Sequence, residues 1–219
     1  MASTLTGTGT LTVTGTGVVP GFAYAPAAWT RPRPVPPTEV RVIEDDDRPA
    51  EVERFKAASV AVGARLSERA SHATGVAAEV LAATANLATD RGWQRAAAKL
   101  INAGTAAEAA TGAATEQFVE MFTKVGGLMA ERVTDLRDVR DRVIAELMGL
   151  PEPGVPNPDS PVVLLADDLA PADTAGLDPA LIRGIVTRLG GPTSHTSIIA
   201  RQLGIPCIVA AADLGNVPD

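Results

Sequence analysis

From Pro49 to Leu150 the chain is almost without strand signal, and Ala, Glu, Arg and Leu dominate. Such a block can bury itself only as packed helices. Its apolar residues recur at helical spacing, first Val52, Phe55, Val60 and Leu66, then Val76, Val80, Leu81 and Leu87. Breaks are expected near Gly75, Gly92, Gly104–Thr105, Gly112 and Gly126–Gly127. Four or five helices result, enough for a small bundle with facing apolar stripes. The last is the clearest: Leu128, Val133, Leu136, Val139, Val143, Leu147 and Leu150 keep one face, and Pro151 and Pro153 end it.

Both flanks of this block have a different texture. Residues 1–14 are Thr/Gly-rich low complexity and read as a flexible tail; its glycines lack the context of a phosphate loop. GVVPGFAYAPA, from Gly17, reads as a strand entry broken by Pro and Gly. Thr30 to Pro37 holds four prolines and must be an extended connection, Val40 to Ile43 is a short strand candidate, and the acidic run Glu44 to Asp47 is a solvated turn. Beyond the linker PEPGVPNPDSP, Val162–Ala166 is a continuous apolar run of strand length. Ile185–Val186 and Ile205–Val209 are further strands, with helical stretches at Pro171–Leu177 and Ser197–Leu203. This alternation argues for an α/β layer. The simplest assembly makes residues 15–48 and 151–219 one discontinuous α/β domain with residues 49–150 inserted as a helical one.

Composition narrows the partners. A net charge of −7 and a pI of about 4.9 argue against nucleic acid and anionic membranes. The single cysteine, Cys207 in IPCIV, reads as a small buried hydrophobe in a reducing compartment, and no Cys/His spacing suits a structural metal. The N-terminus has neither a charged n-region nor an apolar h-region, and no run reaches the length of a membrane span. A cytoplasmic protein is expected. His72, in a polar helix or at its end, reads as a surface histidine.

GGPTSHTSIIARQLGIPCIV, Gly190 to Val209, carries the chemistry. Gly190 and Gly191 allow a tight turn, Thr193, Ser194, Thr196 and Ser197 surround His195 with hydroxyls, and Thr193 or Ser194 can cap the helix SIIARQL. Free amides and the positive dipole of a first helical turn suit a phosphate. A neutral imidazole there can accept a phosphoryl group. The alternative on residues alone is a structural histidine in a capped loop-to-helix turn.

The octet GGPTSHTS and its continuation resemble the phosphohistidine loop of enzyme I, the phosphoenolpyruvate-protein phosphotransferase of the bacterial sugar phosphotransferase system. GVVPGFAYAPA, Glu131–Val143 and Val162–Asp178 are similar to further segments of that family. The resemblance implies an α/β phosphohistidine (swivelling) domain with an inserted all-α bundle that docks the phosphocarrier protein HPr. It implies that His195 takes a phosphoryl group from phosphoenolpyruvate and passes it to HPr, with Thr174 contacting the imidazole or its phosphate. It implies Mg²⁺ in a C-terminal phosphoenolpyruvate-binding domain that this chain lacks, no cofactor in the stretch present, and no autophosphorylation from phosphoenolpyruvate by this chain alone.

One departure lies close to the chemistry: the family's loop arginine is Pro192 here, with Arg188, four residues earlier, either a partial substitute or a solvated strand-end arginine. Leu87, Trp93 and Arg132 are candidates for HPr docking, with burial in the bundle as the alternative role for the first two. Residues 51–150 carry 13 acidic and 12 basic side chains, so the helical block is not a generally acidic docking module. A pyruvate phosphate dikinase or phosphoenolpyruvate synthase relative is the rival enzyme reading, and the long helical block before the histidine argues against it. A non-catalytic helical binding module is the rival from another class.

Overall fold

A computed structural model describes residues 10–35, 41–156, 158–169, 173–174 and 177–217. The chain separates into two compact units: residues 1–30, 155–170 and 177–219, and residues 31–154 with 171–176.

The first unit is an α/β layer. Strands β1 (Thr16–Val19), β2 (Ala27–Trp29), β3 (Val162–Ala166), β4 (Ile182–Thr187) and β5 (Cys207–Val209) form one sheet in the order β1-β5-β4-β3-β2. β1 runs antiparallel to β5, and the other pairs are parallel. The expected run Val162–Ala166 is a strand over those same residues, because central parallel strands are buried on both faces. Its core gathers Leu164, Ile182, Ile185, Ala200, Ile205, Cys207 and Val209.

The second unit is helical, with α1 (Arg48–His72), α2 (Val76–Ala88), α3 (Arg91–Asn102), α4 (Ala107–Val125), α5 (Leu128–Glu131) and α6 (Val133–Leu147). Phe55, Leu66, Leu81, Trp93, Ile101, Leu136 and Val143 are sealed in its core. The stripe of α1 is Val52, Phe55, Ala58, Val62 and Leu66, whereas Val60 is 56% exposed.

Several sequence expectations are corrected. Gly92 and Gly112 lie inside α3 and α4, where a lone glycine is tolerated at modest cost. α3 instead starts at Asp90, whose carboxylate accepts from the Trp93 amide at 2.8 Å. Gly126 and Gly127 do break the chain, both with positive φ (72° and 57°). The last helix is interrupted between Glu131 and Val133, and Gly149 (φ 65°) terminates it before Pro151 is reached. Val42 forms only a single bridge with Thr105, and Val40 lies outside the described residues.

The unit boundary also differs from the expected one. Residues 31–35 and 41–48 belong with the helices: Arg31 exchanges backbone hydrogen bonds with Gly154 at 2.9 and 3.0 Å, and Ile43 is buried. Asp173 and Thr174 join the same unit, and the contacts of Asp173 show why. The guanidinium of Arg142, only 1% exposed, bonds Asp138 at 2.7 and 3.3 Å, Asp173 at 3.0 Å and Glu152. Burial alone would weaken that cation, but the carboxylates of Asp138, Asp173 and Glu152 outweigh it and strengthen its hold on the proton. Glu152 is bound in turn by Arg65 at 2.8 Å.

Candidate functional site

The loop that carries His195 starts where β4 ends. Arg188 and Leu189 donate backbone hydrogen bonds to Ala166 and Asp167, both at 2.9 Å, so the ladder with β3 continues past the strand. Thr187 Oγ1 donates to the Leu189 carbonyl at 2.7 Å. Gly190 then turns the chain with φ 88°. A Cβ on it would also lie 3.3 Å from Ser194 Oγ, a tight contact added to the strain of that φ. Gly191 has neither constraint: its φ is ordinary, and a Cβ there would meet nothing within 4 Å.

Helix α7 (His195–Leu203) follows, and Ser194 caps it. Ser194 Oγ accepts from the Ser197 amide at 3.3 Å, and the Gly191 carbonyl accepts from the Ser194 amide at 2.9 Å and from Ser197 Oγ at 2.7 Å. Of the two expected caps the fold uses Ser194, while Thr193 and Pro192 are exposed on the loop. His195 is the first helical residue and is exposed. Thr196, one residue on, is buried, and its Oγ1 donates to Asp168 Oδ1 at 3.3 Å. An accessible nucleophilic imidazole thus sits on a rigid first turn, beside helix amides that suit an anion.

Arg188 is engaged by a carboxylate. Its Nε donates to Asp167 Oδ1 at 2.6 Å, and that bond raises the guanidinium above its ordinary range. Thr174 is buried and belongs, with Asp173, to the helical unit. Among the described residues no three His, Cys, Asp or Glu side chains are placed to hold a metal ion.

Trp93 is a correction. It is wholly buried, its Nε1 donates to Thr115 Oγ1 at 3.1 Å, and its ring lies 5.5 Å from that of Phe55. A side chain holding the bundle core together cannot serve as a docking anchor. Leu87 is half-buried against the same core, and Arg132 is half-buried where α5 gives way to α6. The exposed apolar residues of the helical unit include a cluster along the chain before Arg132: Met121, Val125, Leu128 and Met129, between 46% and 80% exposed. Their signal in the sequence was the Gly126–Gly127 break, which releases that helix end from the core pattern. Asp167 and Asp168 were also missed; two acids directly after a strand were their only sign.

A family model described as PEP-utilising enzyme, N-terminal, matches residues 14–132, and one described as PEP-utilising enzyme, mobile domain, matches residues 158–217. The chain belongs to the PEP-utilising enzyme family. The second match holds the whole loop and helix around His195. A phosphoenolpyruvate-protein phosphotransferase of Streptomyces coelicolor is 45% identical to this chain over 184 residues, 84% of the chain and 33% of that protein. A multiphosphoryl transfer protein of Rhodobacter capsulatus is 53% identical over 81 residues, 37% of the chain and 10% of that protein. The solution structure of an Enzyme I protein (nEIt) superposes with a TM-score of 0.81 at 29% identity, covering 94% of the chain and 86% of the solved one. The chain thus spans a third or less of the length of these curated relatives. No helix among the described residues is long and apolar enough to cross a membrane.

Proposed function

We propose that this chain is the relay portion of a phosphoenolpyruvate-dependent protein phosphotransferase, with His195 as the phosphoryl acceptor. The observation that carries the reading is the exposed imidazole on the first turn of α7, capped by Ser194 and reached through the Gly190 turn. It falls within the match to the mobile domain of PEP-utilising enzymes. One imidazole nitrogen attacks phosphorus, forming an N–P bond as the bridging oxygen of phosphoenolpyruvate leaves with its bonding pair. A nucleophile on the phosphocarrier, HPr by resemblance, then takes the same group and frees the imidazole. Little covalent work falls to the surroundings; positioning and charge decide the rate.

The resemblance assigns the phosphoenolpyruvate site and its Mg²⁺ to the family's C-terminal domain. The Ser194 cap and the Gly190 turn hold the imidazole, and Thr174 is the further support that the resemblance implies. For the phosphocarrier we place docking on Met121, Val125, Leu128 and Met129, with Arg132 as the flanking charge. Flexible, exposed methionines suit a transient partner, and adjacent apolar exposure is otherwise unfavourable in water.

The test is incubation with phosphorylated HPr, followed by mapping of the label. An acid-labile, base-stable phosphoryl group on His195, absent in His195→Ala, is the expected outcome. An unlabelled wild-type chain, or label that survives His195→Ala, overturns the relay reading. Met129→Asp and Leu128→Asp should weaken transfer from HPr at least tenfold without lowering the melting temperature.

A further inference from the structure

The helical unit pairs most of its arginines with carboxylates: Arg48, Arg54, Arg65, Arg137, Arg140 and Arg142 each hold an aspartate or glutamate. One face of α3 breaks that pattern. Arg91, Arg95 and Lys99 stand four residues apart, so they line up on one side of the helix, opposite the sealed Trp93, Ala97 and Ile101. All three are exposed, and none enters an ion pair or a side-chain hydrogen bond among the described residues. Like charges at this spacing repel, in a chain whose net charge of −7 leaves carboxylates plentiful. Helix α1 passes alongside: Gln94 Nε2 donates to Ser59 Oγ at 2.9 Å, and Arg48 Nη1 donates to the Asn102 carbonyl at 3.1 Å. A shallow cleft of about 130 Å³ lies here, lined by Lys56, Arg91, Gln94, Arg95 and Ala98. Lys56 is held by Glu53 at 2.7 Å, and Asp90 caps α3 by accepting from the Trp93 amide at 2.8 Å. The two guanidiniums are left without a counter-charge.

We propose that this cleft between α1 and α3 binds a small phosphate-bearing anion from solution. A phosphomonoester carries about −1.5 to −2 charges near neutral pH, which two unpaired guanidiniums balance. Its three terminal oxygens each accept, and the planar forks of Arg91 and Arg95 can meet them in pairs. Gln94 has a second amide hydrogen beyond the one that Ser59 accepts, and Lys56 adds an ammonium. The cleft has room for a phosphate group and little more, so the carrier of that group stays in solvent. The net charge of −7 disfavours an anionic lipid surface as the source. Nothing in this site depends on His195, so it stands or falls apart from the relay reading.

Inorganic phosphate, titrated into the whole chain and followed by calorimetry and amide NMR, tests the site against sodium chloride at equal ionic strength. Saturable binding should appear with phosphate alone, with the largest amide shifts between Arg91 and Ala98. Arg91→Gln and Arg95→Gln should each weaken binding roughly tenfold, and the two together should abolish it. Both variants should melt as wild type does in phosphate-free buffer, because neither side chain holds another part of the fold. Glycerol 3-phosphate should bind as well as inorganic phosphate, since its ester arm projects into solvent. Arg201→Gln, in α7, and His195→Ala should bind as wild type does. An absent or non-saturating response, one that sodium chloride reproduces, or one that survives the double variant would overturn the proposal. Binding lost in His195→Ala would also overturn it, because the anion would then sit at the loop before α7.

Discussion

Replacing Glu51 by Gln tests how the helical unit is held together. Glu51 lies in the first turn of α1 and is 7% exposed. Its Oε1 accepts from the Ala107 amide at 2.9 Å, at the start of α4, and from Arg54 at 2.8 Å, while Oε2 accepts from Arg54 at 2.9 Å. Arg54 reaches on to Glu108 at 2.8 Å and to the Leu147 carbonyl at 3.0 Å, so one carboxylate links α1, α4 and α6. The bond from Arg54 is the main reason that the carboxyl is held at about 2 rather than 4.5; burial opposes it, and the Ala107 amide adds to it. At about 1.4 kcal/mol per pH unit, that difference is worth about 3 kcal/mol, and solvent around Arg41 and Arg54 reduces it to about 2. The folded value lies below the unfolded one, so this stabilisation is complete above pH 4.5 and fades as pH falls toward 2. Urea unfolding followed by Trp93 fluorescence should therefore find Glu51→Gln about 2 kcal/mol less stable than wild type at pH 7, with the gap closing near pH 2.5. A gap that stays constant between pH 7 and pH 3 would refute the assignment.

Trp93→Ala should cost about 3–5 kcal/mol in thermal unfolding, because it empties the core of the bundle. A stable Trp93→Ala variant with weakened HPr binding would return this residue to the interface. Cys207, 1% exposed and with its thiol raised by burial to about 11, should resist iodoacetamide at pH 8 until urea unfolds the chain. Gly190→Ala, at φ 88°, should lose about 1–2 kcal/mol and slow phosphorylation of His195, whereas Gly191→Ala should match wild type in both.

What the sequence revealed and what it hid divide along the range of the interactions concerned. The helical block and the strand Val162–Ala166 were legible because their apolar periods lie within a few turns or residues. The face that α3 buries was legible in principle: Trp93, Ala97 and Ile101 are spaced four apart and all are sealed. The size of Trp93 suggested an interface anchor, while its spacing pointed inward, and spacing was the better guide. The unit boundary was not legible, since it depends on ion pairs between residues 31 apart in sequence, Arg142 and Asp173. Asp168 was hidden for the same reason, because its contact with Thr196 spans 28 residues.

The loop around His195 spends most of its hydroxyls on construction. Thr187, Ser194, Ser197 and Thr196 each bond a carbonyl, an amide, another hydroxyl or a carboxylate of the same unit. These bonds fix the loop and leave those hydroxyls poorly disposed to solvate a phosphate. Pro192 offers no cation, and Arg188 is held by Asp167. Of the groups named here, the first-turn amides of α7 are those left to meet the proposed phosphoryl group, an arrangement that spends the hydroxyls on the loop and leaves the phosphate to the backbone. A storage site would reverse that balance; a relay needs the group to leave as readily as it arrives.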